Sequence, residues 1–122
     1  MRLAVVVQRY GADINGGAEL HARYIAEHLA RFADVRVFTT CARDYVTWRN
    51  TYPAGIEHIN GITVERFPVS QERDVVAFGK LSNRVFSRWH SFQQEIDWLE
   101  EEGPVSPGLL ARLAEQASAF DF

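Results

Sequence analysis

Two adjacent glycines, Gly16 and Gly17, close a turn-prone stretch, Arg9–Gly17, between an apolar run and a helically patterned segment. Glycine at such a junction lets backbone approach a ligand closely. The first turn of the following helix carries unpaired N–H groups, and its dipole favours an anion there by about 0.3 to 1 kcal/mol. A phosphate is the natural guest. The loop lacks the Lys-Ser/Thr pair that a P-loop needs after its last glycine, because Gly17 and Ala18 follow Gly16. It is no dinucleotide fingerprint either: the next strand ends Phe38-Thr39-Thr40-Cys41, with no acid to hold a ribose. Nor do acids gather as in a phosphoacceptor site, since Asp13 stands almost alone. The same glycines would equally serve a bare strand-to-helix turn capped by Asn15 or Asp13.

The elements that would position this turn follow from the hydrophobic pattern. Leu3–Val7 is an unbroken, β-branched apolar run and reads as a strand covered on both faces. Ala18, Ala22, Ile25, Leu29 and Phe32 form one helical stripe, with Glu19–Arg23 and Glu27–Arg31 as acid-before-base pairs on the solvent side. Val35–Thr40 is a second strand, parallel to the first by the usual right-handed crossover. Cys41–Ala54 has no period and reads as a long surface loop carrying Trp48 and Arg49. Asn60-Gly61 between Ile56–Ile59 and Ile62–Phe67 marks a tight hairpin.

Ser70–Gly79 reads as a connection, and Val85, Trp89, Phe92, Ile96 and Leu99 as one helix packed on the sheet, with Trp98 off its stripe. That stripe, with Arg84 and Arg88, is also a candidate peripheral membrane contact. Ser106-Pro107 starts a further helix with Leu110, Leu113, Ala117 and Phe120 inward. The order points to an α/β fold: a Rossmann-like parallel sheet flanked by helices, with a small β-hairpin. In that topology the first strand is central, and Phe120–Phe122 would open the strand that pairs with its free side. An open edge there implies that the chain is a piece of a longer protein or dimerises along it.

Length and composition set the outer bounds. The chain has 122 residues, 47% of them hydrophobic and 24% charged, which suits one core and excludes a complete two-domain enzyme. A net charge of −3 builds no broad positive field, so nucleic acid is not an expected partner. The lone Cys41 cannot form an internal disulfide, and no leader segment or span of about 18 apolar residues occurs, so a cytoplasmic setting is expected. His21 and His28 lie about 10 Å apart along their helix, too far to share one ion, and neither His58 nor His90 has ligand partners at a recognisable spacing.

The opening Met1-Arg2-Leu3-Ala4-Val5-Val6-Val7, then Gly16-Gly17-Ala18-Glu19 and Ala26-Glu27-His28-Leu29-Ala30, resemble the N-terminal domain of retaining, nucleotide-sugar-dependent glycosyltransferases of the group 1 (family 4) type. The likeness continues through Val35–Thr40 and the hairpin Asn60–Val64, about half the chain. It implies an N-terminal, acceptor-side half of a GT-B fold. In such an enzyme a hexosyl-type transfer from a nucleotide-sugar to a glycan, lipid or small-molecule acceptor takes place across a cleft. Gly16 and Gly17, with Asn15 beside them, would lie near the donor diphosphate and sugar. Arg9, Tyr10, Trp48 and Arg49, on loops at the strand tips, are the candidate acceptor contacts. No metal or other cofactor is expected, because backbone amides and basic side chains stabilise the departing diphosphate. No catalytic residue is assigned; the glutamates of this chemistry belong to a donor-binding half that these residues do not include, so the chain alone is expected to be inactive. A stand-alone Rossmann-like binding or interaction module and a nucleotide-binding regulator are the competing readings.

Overall fold

The computed structural model describes all 122 residues. Strand β1 (Arg2–Val6) leads through the glycine turn into helix α1 (Gly17–Leu29), and β2 (Asp34–Thr40) follows. A structured loop then precedes the hairpin β3 (Gly55–Ile59) and β4 (Ile62–Phe67). Three helices complete the chain: α2 (Val75–Ser87), α3 (Phe92–Glu101) and α4 (Pro107–Gln116). The sheet is open and mixed, in the order β1-β2-β4-β3. β1 and β4 run parallel to β2, while β3 is antiparallel to β4. Asn60 and Gly61 both take positive φ, the geometry a two-residue hairpin needs.

Side chains alternate across the strands, and the two faces are covered by different helices. Val35, Val37, Ile62 and Val64 meet Ala26 of α1 and Tyr10 in the main core. On the opposite face Phe38 packs edge-on against Phe120, and Arg112 of α4 reaches Glu65. β2 is the most buried strand. β1 is an end strand and only half-buried, less covered than its sequence predicts. The tail Asp121–Phe122 runs alongside it in the same direction: Asp121 N–H donates to Arg2 O (2.8 Å), and Ala4 N–H donates to Phe122 O (2.7 Å). The edge beyond Ala4 stays open at Val6.

The expected single helix through Val85 and Leu99 is two. The chain leaves the helical region at Arg88 and restarts at Ser91, whose hydroxyl accepts from Gln94 N–H while the Gln94 side chain accepts from Ser91 N–H. α2 also begins within the segment expected as a connection, capped by Asp74, which accepts from the Val76 and Ala77 N–H groups. Neither α2 nor α3 has a buried residue, so the stripe does not pack on the sheet. Trp98, off the stripe, is the organising side chain: it stacks on Phe78, meets Phe86 edge-on and donates to Ser82 Oγ at 2.9 Å.

Candidate functional site

The start of α1 has no side-chain cap. Gly16 is the N-cap in extended conformation, and neither Asn15 nor Asp13 reaches back to the helix amides. Asp13 is engaged elsewhere: it accepts from Tyr52 Oη at 2.6 Å and pairs with Arg43 at 2.9 Å. The Tyr52 hydrogen bond above all holds its carboxyl below the ordinary range.

The two glycines have different surroundings. A Cβ built on Gly16 would overlap the Glu19 carboxylate and stand 3.0 Å from Arg9 Nη2, whereas one on Gly17 meets nothing within 4 Å. Gly16 is therefore bare because the protein's own ion pair lies over it. Arg9 Nε and Nη2 donate to Glu19 Oε1 at 2.9 and 2.5 Å, and Arg9 Nη1 donates to Arg43 O at 2.9 Å. Both charged side chains are nine-tenths buried or close to it, and such a pair is kept in place by the cost of leaving either partner alone. Glu19 thus does not form the predicted surface pair with Arg23, which instead donates to Gly11 O (3.0 Å) and Ala12 O (2.5 Å). Glu27 likewise turns from Arg31 and accepts from Asn60 Nδ2 at 2.7 Å.

A cavity of about 480 Å³ opens at the carboxyl ends of β1 and β2, where parallel sheets bind their ligands. Val6–Gln8 and Thr40 form its floor, Ala18 and Glu19 of α1 one wall, and Leu109 and Leu110 of α4 another. Glu19 is its one titratable lining residue, and Arg9 holds it. The uncapped amides of α1 and this cavity therefore share the first turn of the helix.

The candidate acceptor residues divide. Arg9 and Arg49 come together around a surface hollow of about 580 Å³, with Arg43, Tyr45 and Thr47. Tyr10 is fully buried in the main core, and Trp48 is buried against Ala42 and Val69 in a second, smaller one. Neither aromatic stands open in its loop as an acceptor contact must: both rings are spent on packing. Trp48 adopts φ 55°, a left-handed conformation that costs a bulky residue about 1 to 3 kcal/mol. The guanidinium groups of Arg9 and Arg73, 5.9 and 5.8 Å from its ring, help to hold it.

The loop after β2 is tied down by its own polar groups. Asp44 accepts from the N–H groups of Val46 (2.9 Å) and Thr47 (2.7 Å), and Asn50 exchanges hydrogen bonds with the backbone of Val69. The organising residue that sequence reasoning missed is Arg66. Buried beneath the loop, it donates to Tyr10 O (2.6 Å) and Thr40 O (3.3 Å), pairs with Glu57 and lies over the Tyr52 ring. No periodicity marks an arginine with this role, and its inward position on β4 becomes readable only once the hairpin register is known.

No three metal-binding side chains gather anywhere in the chain. His90 is bound to Arg88 O and Glu95, which raise its pKa, and lies far in sequence from the glycine turn. Burial raises the pKa of the Cys41 thiol, the opposite of thiolate activation. Comparison of the chain with protein-family models, curated proteins and solved structures found no match.

Proposed function

We propose that this chain is the acceptor-side, N-terminal part of a GT-B glycosyltransferase, moving a sugar from a nucleotide-sugar donor to an acceptor. The observation that carries the reading is the uncapped first turn of α1 opening beside the cavity at the carboxyl ends of β1 and β2. Preorganised N–H groups aimed at developing negative charge are what a departing diphosphate requires, without a metal ion. Of the two glycines, Gly17 has the open approach, and Gly16 serves the Arg9–Glu19 pair behind it. The hollow around Arg9 and Arg49, lined by arginines, hydroxyl-bearing residues and Asp44, suits a polar acceptor. The chain's own residues bind and orient in this scheme; no acid or base for the transfer is assigned among them.

A binding module without catalysis is the second reading, favoured by the cavity's single titratable side chain being locked in an ion pair. Amide NMR of the labelled chain, titrated with a nucleoside diphosphate sugar and separately with pyrophosphate, separates the readings. Weak, saturable shifts centred on Gly17, Ala18 and Glu19 are expected from both ligands. Tight binding of the free nucleoside diphosphate favours a regulator, and unmoved α1 amides refute the donor-phosphate assignment.

A further inference from the structure

Helices α2 and α3 bury no residue of their own, so their hairpin depends on fastenings at its base, its middle and its turn. At the base Arg73 Nε donates to Glu102 O (2.6 Å) and Asp74 N–H donates to Glu102 Oε2 (2.9 Å). In the middle Trp98 bridges the helices through Phe78, Phe86 and Ser82. At the turn the fastening is His90, whose Nδ1 lies 2.8 Å from Arg88 O and whose Nε2 lies 2.7 Å from Glu95 Oε1. A carbonyl and a carboxylate only accept, so both ring nitrogens must donate, and only the imidazolium can do that. The neutral ring has one N–H and leaves one of the two contacts without its proton. With both nitrogens engaged, the ring offers no lone pair to a metal ion or a substrate. Its role lies within the fold. The hollow of about 340 Å³ beside it is otherwise lined by Val85 and Phe86 of α2 and by Trp98, Leu99 and Glu95 of α3. Arg88 meets the ring through its carbonyl, and Lys80 and Arg84 do not border the hollow, so Glu95 is the charged side chain that faces His90.

We propose that His90 is a proton-operated latch: charged, it ties the α2–α3 turn to the first turn of α3, and on losing its proton it releases that turn. Both hydrogen bonds hold the imidazole above its ordinary value near 6.5. Because the value is raised on folding, the tie is complete below about pH 6.5 and fades as pH rises through the raised value. No histidine takes part at the base or in the middle of the hairpin, and the chain's others, His21, His28 and His58, belong to α1 and β3. The step therefore belongs to the turn. Once released, α3 is still held by Trp98 and the base, so its start opens locally while the fold persists. The inference does not depend on the sugar-transfer reading, because none of these residues lines the cavity at the strand ends.

The test is NMR of the full chain from about pH 5 to about pH 9, following the His90 ring protons together with hydrogen exchange at the Ile96 and Asp97 amides. Exchange is expressed as protection, with the intrinsic pH dependence of the chemistry removed. Protection of these amides should fall about three- to fivefold as pH rises, the scale of a partly exposed ion pair, with the midpoint of the His90 titration. Glu95→Gln keeps an acceptor and removes the charge, so it should bring the His90 value back toward about 6.5 and carry the exchange midpoint with it. His90→Asn should show the lower protection at every pH. Circular dichroism should find both variants folded, since Glu95 is exposed and His90 half-buried; if His90→Asn does not fold, the shift in Glu95→Gln decides. A His90 value at or below the ordinary one, protection that does not change with pH, a midpoint unmoved by Glu95→Gln, or a pH step retained in His90→Asn overturns the proposal.

Discussion

In a Gly16→Ala variant the added methyl would overlap the Glu19 carboxylate and crowd Arg9 Nη2. The carboxylate must turn away from two guanidinium hydrogen bonds inside a pair that is nearly fully buried. Hydrogen bonds between charged groups are worth about 1.5 to 3 kcal/mol each, and breaking a buried pair outright costs about 3 to 5 kcal/mol. Glu19 is flexible and recovers part of this by rotating, so the expected loss is about 2 to 3 kcal/mol. For a chain of this size that is roughly 10 °C in Tm. Gly17→Ala meets open space and gains helix propensity, so it should be neutral or stabilising by up to about 1 kcal/mol. Urea unfolding followed by circular dichroism measures both. Combining each substitution with Glu19→Ala tests the cause: without the carboxylate, alanine at position 16 should add almost nothing. Equal costs at the two glycines, or an additive double variant, would refute the assignment of Gly16 to the ion pair.

The Tyr10 hydroxyl is buried without a partner, so Tyr10→Phe should stabilise the fold by about 1 kcal/mol in the same assay. Burial, aided by Glu27, pushes the Tyr10 phenol up to about 12. Because its pKa is raised on folding, its contribution is complete below the unfolded value near 10 and fades as pH rises from there toward 12; Tyr10→Phe should flatten that alkaline limb. The limb left over belongs to Tyr52, raised to about 12 by burial and its bond to Asp13, and an unchanged limb would count against the assignment. Arg66→Met should cost about 3 kcal/mol, since it leaves the carbonyls of Tyr10 and Thr40 without their donor, and lysine should not rescue it. A loss below about 1 kcal/mol would remove Arg66 from its central role.

Wherever spacing alone specifies an element, the sequence shows it. The β-branched run of β1, the strand β2, the Asn60-Gly61 hairpin and the Ser106-Pro107 helix start appear in the structure within a residue or two. The break between α2 and α3 lay hidden because the apolar spacing continues across it. Ser91 and Gln94, three residues apart, were the local sign. The candidate site was readable only as a location. Which glycine stays open depends on Glu19 folding back to Arg9, ten positions away, and the burial of Tyr10 and Trp48 depends on arginines brought from β4 and the following loop.

Local periodicity and turn chemistry, which act between near neighbours, thus determined the order of the strands, the helices α1 and α4 and the position of the glycine turn. Tertiary structure alone decided which of its glycines an ion pair covers, which loop aromatics are buried and which helices stand away from the sheet. Those outcomes rest on buried ion pairs and side-chain contacts between distant residues, whose free energies exist only after the chain has closed on itself.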